Sequence, residues 1–164
     1  MAMEPVKIRR VQETDASFLW TLANDPEVRA ASFSANSIPW EDHLKWLRAQ
    51  LSNPSCIFFI INKDSIPIGQ VRFDKTNKEE AIMSISIKKE YRGKGLAAQI
   101  ISVSIREIFL TTDINRVHAY VKEDNNPSIS AFLKANFKDC GAVVIKGNRS
   151  IHLMKESATN GSFN

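Results

Sequence analysis

Hydrophobic and polar positions alternate along this chain in short blocks whose period changes from two to about 3.6 and back. Residues 5–11 (PVKIRRV) alternate apolar and basic side chains as a half-buried first strand would. Thr14 or Asp15 can cap a helix through Phe18, Leu19, Trp20 and Leu22 that stops before Asn24-Asp25-Pro26. A second helix is predicted over 39–51, with Pro39 in its first turn and Trp40, Leu44, Trp46, Leu47 and Leu51 supplying apolar surface. Residues 27–38, which include Phe33, read as an irregular connection.

Residues 56–61 (CIFFII) form a continuous apolar run of strand length, which predicts burial on both faces. Lys63-Asp64-Ser65 reads as a turn into a strand over 66–74, giving a hairpin. After a polar loop at 76–80, Ile85 and Ile87 alternate with Ser84 and Ser86 in the strand 81–87. Leu96, Ile100, Val103, Ile108 and Leu110 then carry helical spacing. Residues 117–121 (VHAYV) make a short strand, and Asn125-Asn126-Pro127-Ser128 starts a helix ending near Asn136, with Ile129, Phe132 and Leu133 as its buried face. Two last strands, 138–145 and 149–155, can pair across Gly147-Asn148. The order is β, α, α, β, β, β, α, β, α, β, β.

At 164 residues, 43% of them hydrophobic, the chain is expected to form one domain over 1–156. The tail 157–164 lacks apolar periodicity and is expected to be disordered. The net charge of +4 suits an anionic ligand, but 22 basic and 18 acidic residues are interleaved. No basic cluster is longer than two residues, as at Arg9-Arg10, which is too short for a nucleic-acid stripe, so no nucleic-acid partner is expected. Cys56 and Cys140 read as buried, reduced thiols, and His43, His118 and His152 are too scattered in sequence to suggest a metal site. No stretch approaches the length of a membrane span; a cytoplasmic protein without a membrane partner is the expectation.

The chemistry concentrates in the turn Tyr91-Arg92-Gly93-Lys94-Gly95-Leu96-Ala97, between a strand and a long helix. Two glycines let an anion approach the backbone, and the helix that follows presents free N–H groups at its positive end. Arg92 and Lys94 add formal charge. No third glycine completes a dinucleotide fingerprint, and no Walker pattern is present. The order strand, Arg-x-x-Gly-x-Ala, helix resembles the pyrophosphate motif of the GNAT superfamily of acetyl-CoA-dependent N-acetyltransferases. A second block is similar too: Val121 and Asn125, then Ser128, Phe132 and Asn136-Phe137, follow that family's later Val-x-x-x-Asn motif, with Asn136 where glycine is usual. The specific likeness lies in 81–137 of an overall likeness over most of 5–155.

The resemblance implies an α/β (α+β) GNAT fold: a mixed, mostly antiparallel sheet of about seven strands, splayed between the fourth and fifth and flanked by four helices. It implies acetyl-CoA as acetyl donor, bound by Arg92, Gly93, Lys94, Gly95, Leu96 and Ala97 at its pyrophosphate, by the backbone of Ile85, Ser86 and Ile87 along its pantetheine arm, and by Asn125, Ser128 and Phe132 on the later helix. The Ile87 N–H can also polarise the thioester carbonyl. Many members carry a proton-donating tyrosine where this chain has Phe132, which has no proton to give. Either water, Tyr120 or another group helps the thiolate leave, or the alignment is displaced by one turn.

An amine acceptor must lose a proton, and Glu123, just beyond a strand end where the sheet opens, is the candidate base. As an alternative it is a solvated loop charge. His118 and Tyr120 share a strand face and are further candidates, unless both are simply packed with satisfied polar tips. Residues 24–29, 32–34 and 38–47 look like the N-terminal part of the GNAT enzymes of pseudaminic acid biosynthesis, which acetylate an amino group of a UDP-linked sugar. There Phe33, Trp40 and Trp46 can stack on a sugar or base, and Arg29 or His43 can meet phosphate; Trp46 can equally just cover the sheet. Acetylation of protein N-termini and acyl-CoA binding without transfer are the alternative functions. The sequence leaves monomer and homodimer open.

Overall fold

A computed structural model describes residues 5–158. Strand β1 (Lys7–Arg10) leads through a 3-10 turn at Glu13–Asp15 into α1 (Ala16–Ala23), α2 (Pro26–Ala31) and α3 (Trp40–Leu51). Strands β2 (Cys56–Lys63), β3 (Ile66–Lys75) and β4 (Glu80–Ile87) follow, then α4 (Leu96–Thr111), β5 (Arg116–Lys122), α5 (Asn126–Lys134), β6 (Lys138–Ile145) and β7 (Asn148–Glu156). The described residues form one seven-stranded sheet in the order β1-β2-β3-β4-β5-β7-β6, in which only β4 and β5 run parallel. The strand number and the mixed, mostly antiparallel pairing match the expected sheet.

The apolar run of β2 is explained by burial on both sides. Ile57, Phe59 and Ile61 join the larger core under α4 and α5, while Phe58 and Ile60 face α1 and α3 with Val11, Leu19 and Leu47. The α1/α3 layer thus covers β2, and α4 with α5 backs the opposite face. Leu110 and Leu133, expected inside, are 72% and 44% exposed; Leu51 is exposed as well. Each lies at the margin of its helix's apolar stripe, where the period alone does not say which side meets the core.

Beyond the four expected helices the chain forms α2 inside the stretch read as irregular. Asp25 caps it by accepting hydrogen bonds from the N–H groups of Glu27 and Val28 at 3.0 and 3.2 Å, and Pro26 supplies its first residue. The last hairpin turns at Lys146-Gly147, one residue earlier than expected, because Ile145 pairs with Asn148. Gly147 holds φ +78° there. Both thiols are free, but Cys140 is exposed and Cys56 only half-buried, correcting the expectation for both. Strand β6 is a sheet edge and shields little. Burial, with the nearby Asp74 charge, pushes the Cys56 thiol up to about 11. Of the expected disordered tail, Ser157 donates its N–H to the Asn115 carbonyl at 2.8 Å, and 159–164 lie outside the described residues.

A two-pronged ion pair fixes the start of the chain: Arg9 donates to both Asp15 carboxylate oxygens at 2.8 Å. The Arg9 hydrogen bonds hold the Asp15 carboxyl below its usual 3.8 against the opposing effect of burial, helped by the Gln12 N–H. A depressed folded pKa stabilises above the unfolded value and is lost as pH falls through the folded one. Asp15→Asn is therefore expected to lower the unfolding free energy at pH 7 by about 1–2 kcal/mol, allowing for the partly exposed arginine. In urea melts the gap to the wild type should close as pH drops below about 4; a gap independent of pH would show that the ion pair is not its source.

Candidate functional site

Parallel β4 and β5 are hydrogen-bond neighbours only over Glu80↔Arg116, Ala81↔Val117 and Ile82↔His118. Past Ile82 they diverge, while β3 still pairs with β4 as far as Gly69↔Ile87 and β7 with β5 as far as Lys122↔Ser150. From Met83 to Ile87, β4 therefore has one edge with no strand partner among the described residues, an opening able to accept an extended amide-bearing chain. Ile85, Ser86 and Ile87 lie along it.

The turn after β4 brings Gly93 and Gly95 to φ +73° and +75°, and space around both is open: an added Cβ would meet nothing within 4 Å. Gly95 is the N-cap of α4, and among the described residues no side chain caps that helix. Its first amides are left for an anion. Lys94 is exposed, its Nζ 5.9 Å from the Tyr91 ring centre. Leu96 is in the core, and Ala97 packs partly against it.

Arg92 is placed differently from the expectation that it adds charge to the anion site. Its guanidinium donates to the Ile87 carbonyl at 2.9 Å, to Asp25 at 3.0 Å and to Glu27 at 2.8 Å. Burial works against the Asp25 charge, yet the Val28 and Glu27 amides and Arg92 together keep its carboxyl below the ordinary range. At the far end of α2 the Ala30 carbonyl accepts from Lys122 Nζ at 2.9 Å. Short α2 is thus tied to both arms of the splay, through Arg92 to the end of β4 and through Lys122 to the end of β5.

On α5, Asn125 accepts the Ser128 N–H at 3.3 Å and caps the helix. Asn136 takes φ +69° at its other end, the left-handed stop that Asn tolerates. Phe132 is 2% exposed and set edge-on to Phe137 at 4.9 Å, so its ring belongs to the core and offers no proton.

Of the proton carriers, Glu123 is exposed and paired with Arg149 at 3.2 Å. It stands apart from a group that sequence spacing concealed. His118 Nε2 lies 2.9 Å from Glu80 Oε1, and His118 Nδ1 2.9 Å from His152 Nε2. Tyr120 stacks flat on His152, 4.8 Å between centres at 12°. All four belong to the sheet face away from α4 and α5, since Tyr120 pairs with His152 across β5 and β7 and Glu80 opens β4. The hydrogen bond from Asn77 and that from His118 draw the Glu80 carboxyl down to about 2. Among the described residues no group of three or more His, Cys, Asp or Glu is arranged to hold a metal ion.

In the N-terminal region the two residues offered as phosphate contacts, Arg29 and His43, are engaged within the chain. Arg29 donates to the carbonyls of Ala23, Ser34 and Asn36 and to the Ser32 hydroxyl, and so orders the connection after α2. His43 is 2% exposed between Trp40 and Trp46, and burial lowers its pKa, so it is a neutral core residue. Trp46 packs on Phe58 with Arg72 over its face, which makes it a cover for the sheet. Two open surface hollows, of about 320 Å³ beside Glu41 and Lys45 and about 290 Å³ beside Arg10 and Gln50, touch neither β4 nor β5.

The family described as "Acetyltransferase (GNAT) domain" matches residues 6–138. An uncharacterized N-acetyltransferase, YokL, from a Bacillus subtilis prophage is 30% identical over 95 residues, 57% of this chain and 54% of that one, so the match spans about half of that relative's length. Acetyltransferase PseH of Campylobacter jejuni is 23% identical over 126 residues, 77% of each chain. Among solved structures, the spermidine N-acetyltransferase of Vibrio cholerae in complex with CoA and spermine superposes with TM-score 0.84 at 17% identity, covering 93% of this chain and 95% of that one. AAC(6')-Ib in complex with ribostamycin and coenzyme A gives 0.83 at 16%, covering 93% and 94%.

Proposed function

The chain belongs to the GNAT acetyltransferase family, and from that premise we propose that it transfers acetyl from acetyl-CoA directly to a primary amine, that of a nucleotide-linked amino sugar. The observation that carries the donor is the conjunction of the unpaired β4 edge with the uncapped α4 start at Gly95. An arm rich in amides can lie along Ile85, Ser86 and Ile87 while its pyrophosphate meets the amides of 93–97 and Lys94. Arg92 serves through its backbone and by fixing α2. Asn125 and Ser128 shape the start of α5 beside the arm, and Phe132 supports that helix from the core beneath it. Known acetyltransferases share the fold, including one in complex with spermine and another in complex with ribostamycin. The single sheet through the described residues supports reading 1–156 as one acetyltransferase domain.

Both cysteines lie outside the splay, Cys56 on β2 and Cys140 on the far edge strand, which supports direct transfer over a covalent acyl-enzyme. For the acceptor, support comes from the likeness of 24–47 to the amino-sugar enzymes and from the match to PseH. The engagement of Arg29 and His43 favours a second reading, a phosphate-free amine such as a protein N-terminus.

Release of CoA thiol from acetyl-CoA, followed with a UDP-linked 4-amino sugar and with peptides bearing a free N-terminus, tests all of this. Turnover of the sugar is the expected result, and turnover of peptides alone selects the second reading. Acetyl-CoA binding without thiol release for any amine would leave only a binding module.

A further inference from the structure

We propose that His152, oriented through His118 by Glu80, is the base that takes the proton from the acceptor amine. The assignment rests on the acetyl-transfer reading and deepens it. Glu80, ionised, can only accept, so the 2.9 Å contact requires His118 to carry its proton on Nε2. In the uncharged ring His118 Nδ1 is then an acceptor, and the 2.9 Å contact to His152 requires a proton on His152 Nε2. That leaves the lone pair of His152 on Nδ1. One carboxylate thereby sets two tautomers in series.

The open end of the chain is accessible. His152 Nδ1 has no partner among the described residues, yet it is not one of the buried unpaired atoms, so it meets solvent. Tyr120, flat against the ring, holds its orientation. Tyr120 also lies two residues beyond His118, the last β5 residue paired with β4, and therefore at the margin of the opening. On the same face, across the opening on β3, Gln70 donates to the Ser86 hydroxyl at 3.1 Å, and its buried Oε1 has no partner among the described residues. Glu123, by contrast, has its carboxylate on Arg149.

The step balances as follows. An N–H bond of the ammonium breaks and one forms at His152 Nδ1; the His152 Nε2 proton passes to His118 Nδ1, and the positive charge comes to rest on His118 beside Glu80, which stays ionised. The freed amine lone pair attacks the thioester carbonyl carbon, the C–S bond breaks, and the second amine proton goes to the departing thiolate. Burial lowers the His152 pKa, which keeps the ring neutral at pH 7 with its Nδ1 lone pair free to accept. Charged groups on this face include the Arg72–Asp74 pair on β3, Arg116 and Lys122 on β5, Glu156 on β7 and Lys138 opposite Met154 on β6. Arg116 reaches Glu80 at 3.4 Å and Glu156 at 3.5 Å, so its charge is shared between two carboxylates.

The test uses whichever of the UDP-linked 4-amino sugar and the N-terminal peptides supports thiol release. His152→Gln is expected to lower kcat by roughly a hundredfold, within the range for a general base, to abolish its acid limb, and to leave acetyl-CoA affinity unchanged; added imidazole should restore part of the rate. Glu80→Gln, a change in a positioning residue, should cost less in kcat and mix the His152 tautomers. Long-range proton–nitrogen NMR on the unliganded wild type should show His152 protonated on Nε2 only. Transfer by His152→Gln at the wild-type rate and pH profile, or a His152 proton on Nδ1, overturns the base assignment alone. A wild type that binds acetyl-CoA and acetylates no amine overturns the transferase reading and the assignment with it.

Discussion

Replacing Gly95 with valine is expected to raise the dissociation constant for acetyl-CoA by about a hundredfold, close to 2.7 kcal/mol, while lowering the stability of the free protein by only about 1–2 kcal/mol. The two effects separate because of where the new atoms go. Gly95 holds φ +75°, which any L side chain adopts at a cost, but a Cβ there meets nothing within 4 Å. The free fold has room for it. The bound pyrophosphate does not, because the open space in front of the α4 amides is the space it needs. A control is built into the chain: Gly147, in the β6–β7 turn, has φ +78° and equally open surroundings. Gly147→Val should lower the melting temperature about as much as Gly95→Val and leave acetyl-CoA binding untouched. Calorimetric titration and thermal melts read both quantities, and unchanged affinity in Gly95→Val would sink the phosphate cradle.

The contrast between these two glycines also shows what a sequence of this kind discloses. The turn at 91–97 is a local object: strand, glycines, cation and helix start are adjacent, so its conformation is written in neighbouring residues. The β2 run of apolar residues was equally readable, since burial on two faces follows from an unbroken pattern. Helix α2 was readable and missed, for Asp25-Pro26-Glu27 carries a cap, a first-turn proline and an acidic first turn. The Glu80–His118–His152 chain was hidden for a different reason. His118 and His152 are 34 residues apart and meet only because β5 and β7 pair in one register; a shift of one residue would put them on opposite faces. Arg92 misled in the same way. Its formal charge suggested a phosphate ligand, but its partners Asp25 and Glu27 stand 67 and 65 positions earlier. Charges near a site are visible in sequence; whether they are already paired is a tertiary fact.

Gly69→Ala is expected to weaken both stability and acetyl-CoA binding, although residue 69 touches neither the pyrophosphate turn nor the thioester. Alanine in place of a strand glycine ordinarily stabilises by about 0.5–1 kcal/mol, so a loss would reverse the usual sign. The reason is a close approach of backbones: a Cβ on Gly69 would stand 2.6 Å from the Ser86 carbonyl oxygen and 3.3 Å from the Ile87 Cα. Neither atom is the tip of a side chain that could swing aside, so β4 itself must move. It has freedom in one direction only. On the β3 side it is fully paired, whereas past Ile82 the side toward β5 is open. The added methyl therefore drives Ser86 and Ile87 into the gap that the pantetheine arm must fill, and part of the Arg92 contact to the Ile87 carbonyl goes with them. Overpacking of this kind costs about 1–3 kcal/mol of stability, and acetyl-CoA affinity should fall by at least roughly tenfold, about 1.4 kcal/mol. The ratio of the two losses distinguishes the glycines: Gly95→Val spares the fold relative to binding, whereas Gly69→Ala harms both through one displaced strand. A stable Gly69→Ala protein with wild-type affinity would mean that β3, not β4, yields, and that the width of the opening does not depend on residue 69.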